Sequence, residues 1–101
     1  MQTYMMLTRL AHGALQSPRS LEELEQQVMH RIRRDCPHVK WLSSYAALGP
    51  SDYVDFFQAA DNEMAMKVAT VVRTFGHART EVWPVTEWKR FKEIVSGIAV
   101  T

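Results

Sequence analysis

The order of strand and helix patterns along this chain constrains its fold more than any other feature of the sequence. Alternating β-forming residues predict four strands, over residues 2–10, 39–48, 53–60 and 77–83, the last of which is expected to end before Pro84. Apolar residues at three- and four-residue spacing predict three helices, with Ser17, Asp61 and Thr86 at or near their starts. This β-α-β-β-α-β-α order predicts an α+β ferredoxin-like βαββαβ sandwich with an additional C-terminal helix.

Local signals mark the ends of the predicted helices. Pro18 suits the first turn of the first helix, and Ser20 with Glu23 three residues later forms a capping box. Pro37 ends this helix because proline cannot continue it. Gly76 follows the second helix, where a residue in the left-handed conformation with positive φ is expected.

Length and composition exclude several classes of protein. At 101 residues the chain is large enough for one hydrophobic core, so residues 1–101 are predicted to form a single domain. The formal net charge of +1 gives no electrostatic footprint for a nucleic acid or a membrane, and neither is expected as a partner. No apolar run approaches the roughly 18 residues of a membrane helix. The N-terminal residues do not have the pattern of a signal peptide, and the expected location is cytoplasmic.

The first predicted strand carries apolar residues on both of its alternating sets, Tyr4 and Met6 on one and Met5 and Leu7 on the other. That pattern favours a strand covered on both faces. Because the helices of this fold cover only one face of the sheet, a second copy of the chain is expected on the other. The sequence thus predicts a homodimer or a higher homo-oligomer.

Two stretches resemble the signature region of the GYD-domain family, GPSDYVDFFQAAD over residues 49–61 and VRTFGHARTEVWP over residues 72–84. With residues 88–91, the resemblance covers most of the second half of the chain. Asp52 matches the family's aspartate, whereas Ser51 stands where its tyrosine is expected. The resemblance implies a dimeric α/β barrel, in which two ferredoxin-like sheets face each other, and it implies no particular activity.

Candidate binding residues lie on the third and fourth predicted strands. A two-residue period places Tyr53, Asp55 and Phe57 on one face of the third strand. The same period places His77, Arg79, Glu81 and Trp83 on one face of the fourth. We expect both sets on the face of the sheet that the helices leave open. The candidate ligand-binding residues are therefore Tyr53, Asp55, His77, Arg79, Glu81 and Trp83.

These residues support two hypotheses of function. A cleft that contains them suits an anionic or aromatic small molecule, which favours a domain that binds or senses such a ligand at the sheet face. The alternative is a cofactor-independent enzyme, oxygenase- or dehydratase-like, in which His77 acts as a base and Arg79 holds an anionic substrate. The same side chains could instead form charge pairs and aromatic contacts between two subunits. No cofactor is predicted under either hypothesis.

Other chemistry is disfavoured by position. His77 and Glu81 lie about 13 Å apart along a strand, which is too far for them to share a metal ion, and no metal site is predicted. Cys36 is expected at the C-terminal end of a helix, where the helix dipole disfavours a thiolate. RNA binding through the third strand is disfavoured because Asp52 and Asp55 would repel phosphates.

Overall fold

The computed structural model describes residues 1–11, 13 and 17–98. Their elements are β1 (Gln2–Leu10), α1 (Pro18–Asp35), β2 (Lys40–Ala46), β3 (Tyr53–Ala59), α2 (Asn62–Phe75), β4 (Ala78–Val85) and α3 (Trp88–Ser96). The sheet is antiparallel, with the strand order β2-β3-β1-β4. The predicted element order and the α+β ferredoxin-like class are confirmed.

The helix caps differ in part from the prediction. Ser17 caps α1 by accepting a hydrogen bond from the backbone N–H of Ser20 at 3.2 Å, so the predicted capping box that begins at Ser20 is wrong. Asp61 caps α2 as expected, because its carboxylate accepts from the N–H of Met64 at 3.0 Å. The residue before α3 is Glu87 instead of Thr86, and its side chain makes no capping hydrogen bond.

The positive φ predicted at Gly76 belongs to the next residue. Gly76 has φ −94° and ψ −3°, whereas His77 has φ 49°. Glycine is nevertheless required at position 76, because a Cβ there would lie 2.5 Å from the carbonyl oxygen of Val72 and 3.3 Å from Cγ2 of Val28. The last turn of α2 itself, with Val28 of α1 next to it, leaves no room for a side chain, so steric exclusion and not backbone handedness selects this glycine.

Strand β4 continues through Pro84 to Val85, so the predicted stop at the proline is wrong. The N–H of Ala11 donates to the carbonyl of His77, which indicates that the odd-numbered residues of β1 hydrogen-bond to β4. Pro84 lies opposite Tyr4, an even-numbered residue, so its nitrogen faces away from β1. An outer strand tolerates proline at such a position because no hydrogen bond within the sheet is lost.

The core lies between the sheet and the first two helices. On the helix-covered face, Phe57 of β3 stacks between Tyr4 of β1 and Trp41 of β2, with ring centroids 5.6 and 5.5 Å apart. The Tyr4 hydroxyl reaches the Oδ1 atom of Asn62 at the start of α2, at 2.7 Å. Buried aliphatic residues of α2 complete the core against this stack, among them Ala65, Val68, Val71 and Val72.

The first and third helices are covered to different extents. Near its C-terminal end α1 buries Ile32, and Cys36 beyond the helix is buried as well, whereas Leu21 near its N-terminal end remains exposed. Helix α3 buries none of its residues. The molecule accordingly measures 59 × 30 × 17 Å. Among the described helices, none is both long and apolar enough to cross a bilayer.

Candidate functional site

A cavity of about 420 Å³ separates the N-terminal half of α1 from the sheet. Its walls are mainly apolar and come from α1, α2 and all four strands; they include Met6, Leu10, Leu21, Leu24, Val28, Met29, Val72 and Ala78. The volume lies within the range of ordinary small-molecule sites, about 300–1,000 Å³.

Polar groups from four elements converge on this cavity. Asp55 and Tyr53 project from β3, Ser44 from β2 and Thr8 from β1, while Glu25 of α1 lines it from the helix side. Thr8 is only 4% exposed, and its Oγ1 atom has no hydrogen-bond partner among the described residues. A buried hydroxyl without a partner is uncommon in folded proteins, and one that lines a cavity is free to hydrogen-bond to a bound molecule.

The electrostatics of the cavity are set by its carboxylates. Burial raises the pKa of Asp55, a hydrogen bond from Ser44 opposes that rise, and the nearby charge of Glu25 adds to it. Burial likewise raises the pKa of Tyr53, together with the charges of Asp52 and Glu25. Among the described lining residues there is no lysine, arginine or histidine. The polar part of the cavity is thus an acceptor-rich, acidic environment.

The predicted positions of Tyr53, Asp55 and Phe57 on the open face are wrong. The β1–β3 register pairs Tyr4 with Phe57 and Met6 with Asp55, which puts this set of β3 residues on the helix-covered face. Both alternating sets of β3 are largely apolar, so the sequence alone does not decide which set faces the helices. The cavity under α1 provides the space for this carboxylate within the helix-covered layer.

The predicted positions of Arg79, Glu81 and Trp83 are confirmed, because their β1 partners Arg9, Leu7 and Met5 belong to the set opposite the buried one. His77 lies one residue before β4 and is exposed in the turn. The structure therefore divides the six candidates into two groups. Tyr53 and Asp55 line the cavity, whereas the other four do not.

The open face has an apolar centre. One row across the sheet contains Phe56, Met5 and Trp83, and the next contains Tyr45, Val54 and Leu7. The row at one end pairs Arg9 directly with Arg79. Within the described part of the chain, neither arginine forms a salt bridge, nor does Glu81. This face is an apolar patch with charges of both signs at its edge.

Three polar residues of the cavity were not identified in the sequence. Thr8 lies in a predicted strand among apolar neighbours, and Ser44 lies in another. Glu25 follows Leu24 on α1 and has the usual features of a solvated helix residue. No local pattern distinguishes such residues, since only the register and the height of α1 above the sheet bring them together.

Asp52, which matches the aspartate of the family signature, makes hydrogen bonds that hold the local backbone in place. Its carboxylate accepts from the N–H of Leu10 at 2.8 Å, and its own N–H donates to the carbonyl of Thr8 at 2.8 Å. The carbonyl of Asp52 accepts from the N–H of Ala47 at 2.9 Å. The residue thereby fastens the β2–β3 turn to the end of β1, beside the cavity.

Two other chemical possibilities have little support from the geometry. Cys36 is buried, and burial raises the pKa of its thiol, which disfavours the reactive thiolate. Over residues 1–11, 13 and 17–98, no three histidine, cysteine or acidic side chains are grouped so as to hold a metal ion.

An antiparallel sheet of order β2-β3-β1-β4 with α1 and α2 on one face defines the class of the protein, an α+β domain with the ferredoxin-like fold. The chain belongs to the GYD domain family, whose model matches residues 4–95. The crystal structure of SCO4226 from Streptomyces coelicolor A3(2) is similar, with a TM-score of 0.53 and 15% sequence identity over 83% of this chain and 96% of that one. At that identity the similarity concerns the fold alone. No protein of curated function matches the sequence.

Proposed function

We propose that this chain is a homodimeric domain that binds a small molecule in the cavity between α1 and the sheet. The observation that carries the proposal is the cavity itself, about 420 Å³ with mostly apolar walls and a few converging polar groups. Sites with these properties orient a ligand through the polar groups and gain affinity from the apolar walls. Tyr53 and Asp55 are accordingly the ligand-binding residues among the six predicted from the sequence.

The open face supports the dimeric part of the proposal. Its apolar centre resembles the core of a subunit interface, and the unpaired Arg9 and Arg79 beside Glu81 allow a second copy to supply the opposite charges. The proposed role of Arg79, Glu81 and Trp83 is therefore contact with the partner. The enzyme alternative has less support, because His77 and Arg79 are exposed and neither lines the cavity.

The experiment is a fragment screen monitored by ligand-observed NMR on the wild type and two matched variants. Leu24→Trp adds volume to a cavity wall, whereas Leu48→Trp makes the same change at a fully exposed loop residue. Fragments should bind the wild type and Leu48→Trp and should lose binding to Leu24→Trp. Absence of binding to the wild type, or equal binding to all three, would contradict the proposed site.

A further inference from the structure

The polar groups of the cavity also restrict the chemical class of its ligand. This inference rests on the proposed function, since it concerns the occupant of the same cavity. The carboxylates of Asp55 and Glu25 both line it, and no described lining side chain carries a positive charge. An anionic ligand would therefore add a third negative charge without a counterion, and an unpaired buried charge is strongly unfavourable.

The unpartnered hydroxyl of Thr8 adds a second restriction. Thr8 belongs to β1, and its neighbours across the sheet are Tyr53 on one side and Thr80 on the other. Because its Oγ1 atom has no partner among the described residues, it is available to accept a hydrogen bond in the layer that holds Asp55. Carboxylate, hydroxyl and phenol oxygens together suit a group with several N–H donors.

The apolar walls define the remainder of the ligand. Leu21, Leu24 and Val28 line the cavity from α1, and Met6 and Leu10 line it from β1. Two of the wall residues are methionines, Met6 and Met29, whose thioethers pack well against aromatic rings. Such walls favour a hydrophobic or aromatic body attached to the donor group.

We propose that the cavity binds an apolar amine, whose ammonium group is held by Asp55 and Thr8 and whose hydrocarbon or aromatic body lies between α1 and the sheet. Glu25, at the helix side, contributes long-range attraction. Of the anionic or aromatic ligands considered from the sequence, the anionic ones are disfavoured here, because Arg79 belongs to the other face of the sheet. Charge-assisted hydrogen bonds of this kind are about twice as strong as neutral ones.

The test uses matched triplets of probes that differ only in their polar group. 2-Phenylethylamine, 2-phenylethanol and 3-phenylpropionate form one triplet, and larger aromatic bodies with the same three groups form others. Dissociation constants are measured by NMR titration of the wild type. We expect the amine to bind most tightly and the carboxylate least tightly in each triplet that shows binding.

Three variants connect this preference to the proposed residues. Asp55→Asn should weaken amine binding at least tenfold and leave alcohol binding nearly unchanged, and Thr8→Val should weaken it severalfold. Glu63→Gln removes an exposed carboxylate from the first turn of α2, outside the cavity, and serves as the control, with no effect expected. Circular dichroism of each variant verifies that it is folded.

The outcomes separate this inference from the proposed function. Equal or tighter binding of the carboxylate, or an unchanged amine affinity in folded Asp55→Asn, would overturn the amine assignment and leave a cavity that binds small molecules. Binding of no probe in any triplet would overturn the amine assignment. If no fragment binds the wild type in the screen that compares it with Leu24→Trp, the proposed function is contradicted as well.

Discussion

Adjacent residues at the end of α2 illustrate how a turn can mislead residue-by-residue prediction. A glycine that follows a helix is usually taken to supply the left-handed conformation. Here His77 takes the positive φ, at 49°, and Gly76 avoids a clash with the carbonyl oxygen of Val72 in the last turn of α2. A non-glycine residue in the left-handed backbone conformation costs about 1–2 kcal/mol, so the backbone of His77 is strained whereas that of Gly76 is not.

This arrangement predicts opposite effects of two exchanges. Gly76→Ala should lower the free energy of unfolding by about 1–3 kcal/mol, because the new Cβ would lie 2.5 Å from the Val72 carbonyl oxygen. His77→Gly should leave it unchanged or raise it by up to about 1 kcal/mol, because the strain is relieved. Urea denaturation of the two variants measures both effects. A destabilised His77→Gly beside an unaffected Gly76→Ala would contradict the assignment.

The buried carboxyl group of Asp55 predicts a pH dependence of stability. Burial raises its pKa in the folded protein above the ordinary value of 3.8, so the folded state holds this proton more tightly than the unfolded state does. The stabilising effect is fully present below pH 3.8 and is lost as the pH rises through the pKa of the folded state. We expect Asp55→Asn to remove this loss.

The measurement is the melting temperature of both proteins as a function of pH. The advantage of Asp55→Asn over the wild type should grow as the pH rises from below 3.8 and then level off. Asp52→Asn serves as the comparison for Asp55→Asn, because the carboxylate of Asp52 accepts a hydrogen bond from Leu10 at the end of the sheet. Parallel pH curves for the wild type and Asp55→Asn would show that burial does not affect this carboxyl group.

At the scale of elements, the periodicity of the sequence was sufficient for the order of strands and helices but not for the phase of β3. In β4, small apolar residues such as Ala78 and Val82 alternate with charged ones, so its faces were predictable. In β3, Val54 and Phe56 are as apolar as Tyr53 and Phe57, and only the pairing with β1 decides between the two sets. Thr8, Ser44 and Glu25 were missed because only the strand register and the height of α1 above the sheet bring them together.

Helix α3 is the element whose observed surroundings least explain its formation. It has nine residues, and its apolar side is exposed, with Trp88 69% and Ile94 50% accessible. A helix of this length is marginal in water without packing. The rings of Trp88 and Phe91 contact each other at a tilt, with centroids 5.3 Å apart. We expect the proposed second copy to cover the apolar side of α3.

We expect the protection of α3 against amide hydrogen exchange to depend on protein concentration. The amides of residues 88–96 should exchange more slowly at concentrations where the dimer forms, because packing stabilises the helix. The amides of α2, which is buried within one chain, serve as the reference and should not change. Fast exchange in α3 at every concentration would show that the second copy does not cover it.

Over residues 1–11, 13 and 17–98, the molecule presents two uncovered apolar surfaces, the open face of the sheet and one side of α3. Burying an apolar surface contributes about 25 cal/mol per Å², so a second copy that covers the sheet face gains substantially from the central row of Phe56, Met5 and Trp83. The sequence indicated this association through the two apolar sets of β1. It placed Arg79 and Glu81 on this face but could not show that Arg9 lies directly opposite Arg79, which depends on the register of β1 with β4.

Light scattering at micromolar concentration should give twice the mass of the chain. Phe56→Asp places a charge at the centre of the open face and should produce a folded monomer. Met66→Asp makes the same kind of change at a residue that is 64% exposed on α2, and it should remain dimeric. A monomeric wild type, or a dimeric Phe56→Asp, would exclude the open face as the interface.

The proline in β4 has a consequence for how copies of this chain can meet. The unpaired edge strand of a β-sheet is a template on which further chains can add strands without limit, as they do in fibres. Pro84 interrupts the hydrogen-bonding edge of β4, because its nitrogen faces outward and carries no hydrogen to donate. Strand addition along β4 is thereby opposed, whereas the proposed association through the open face of the sheet does not involve this edge.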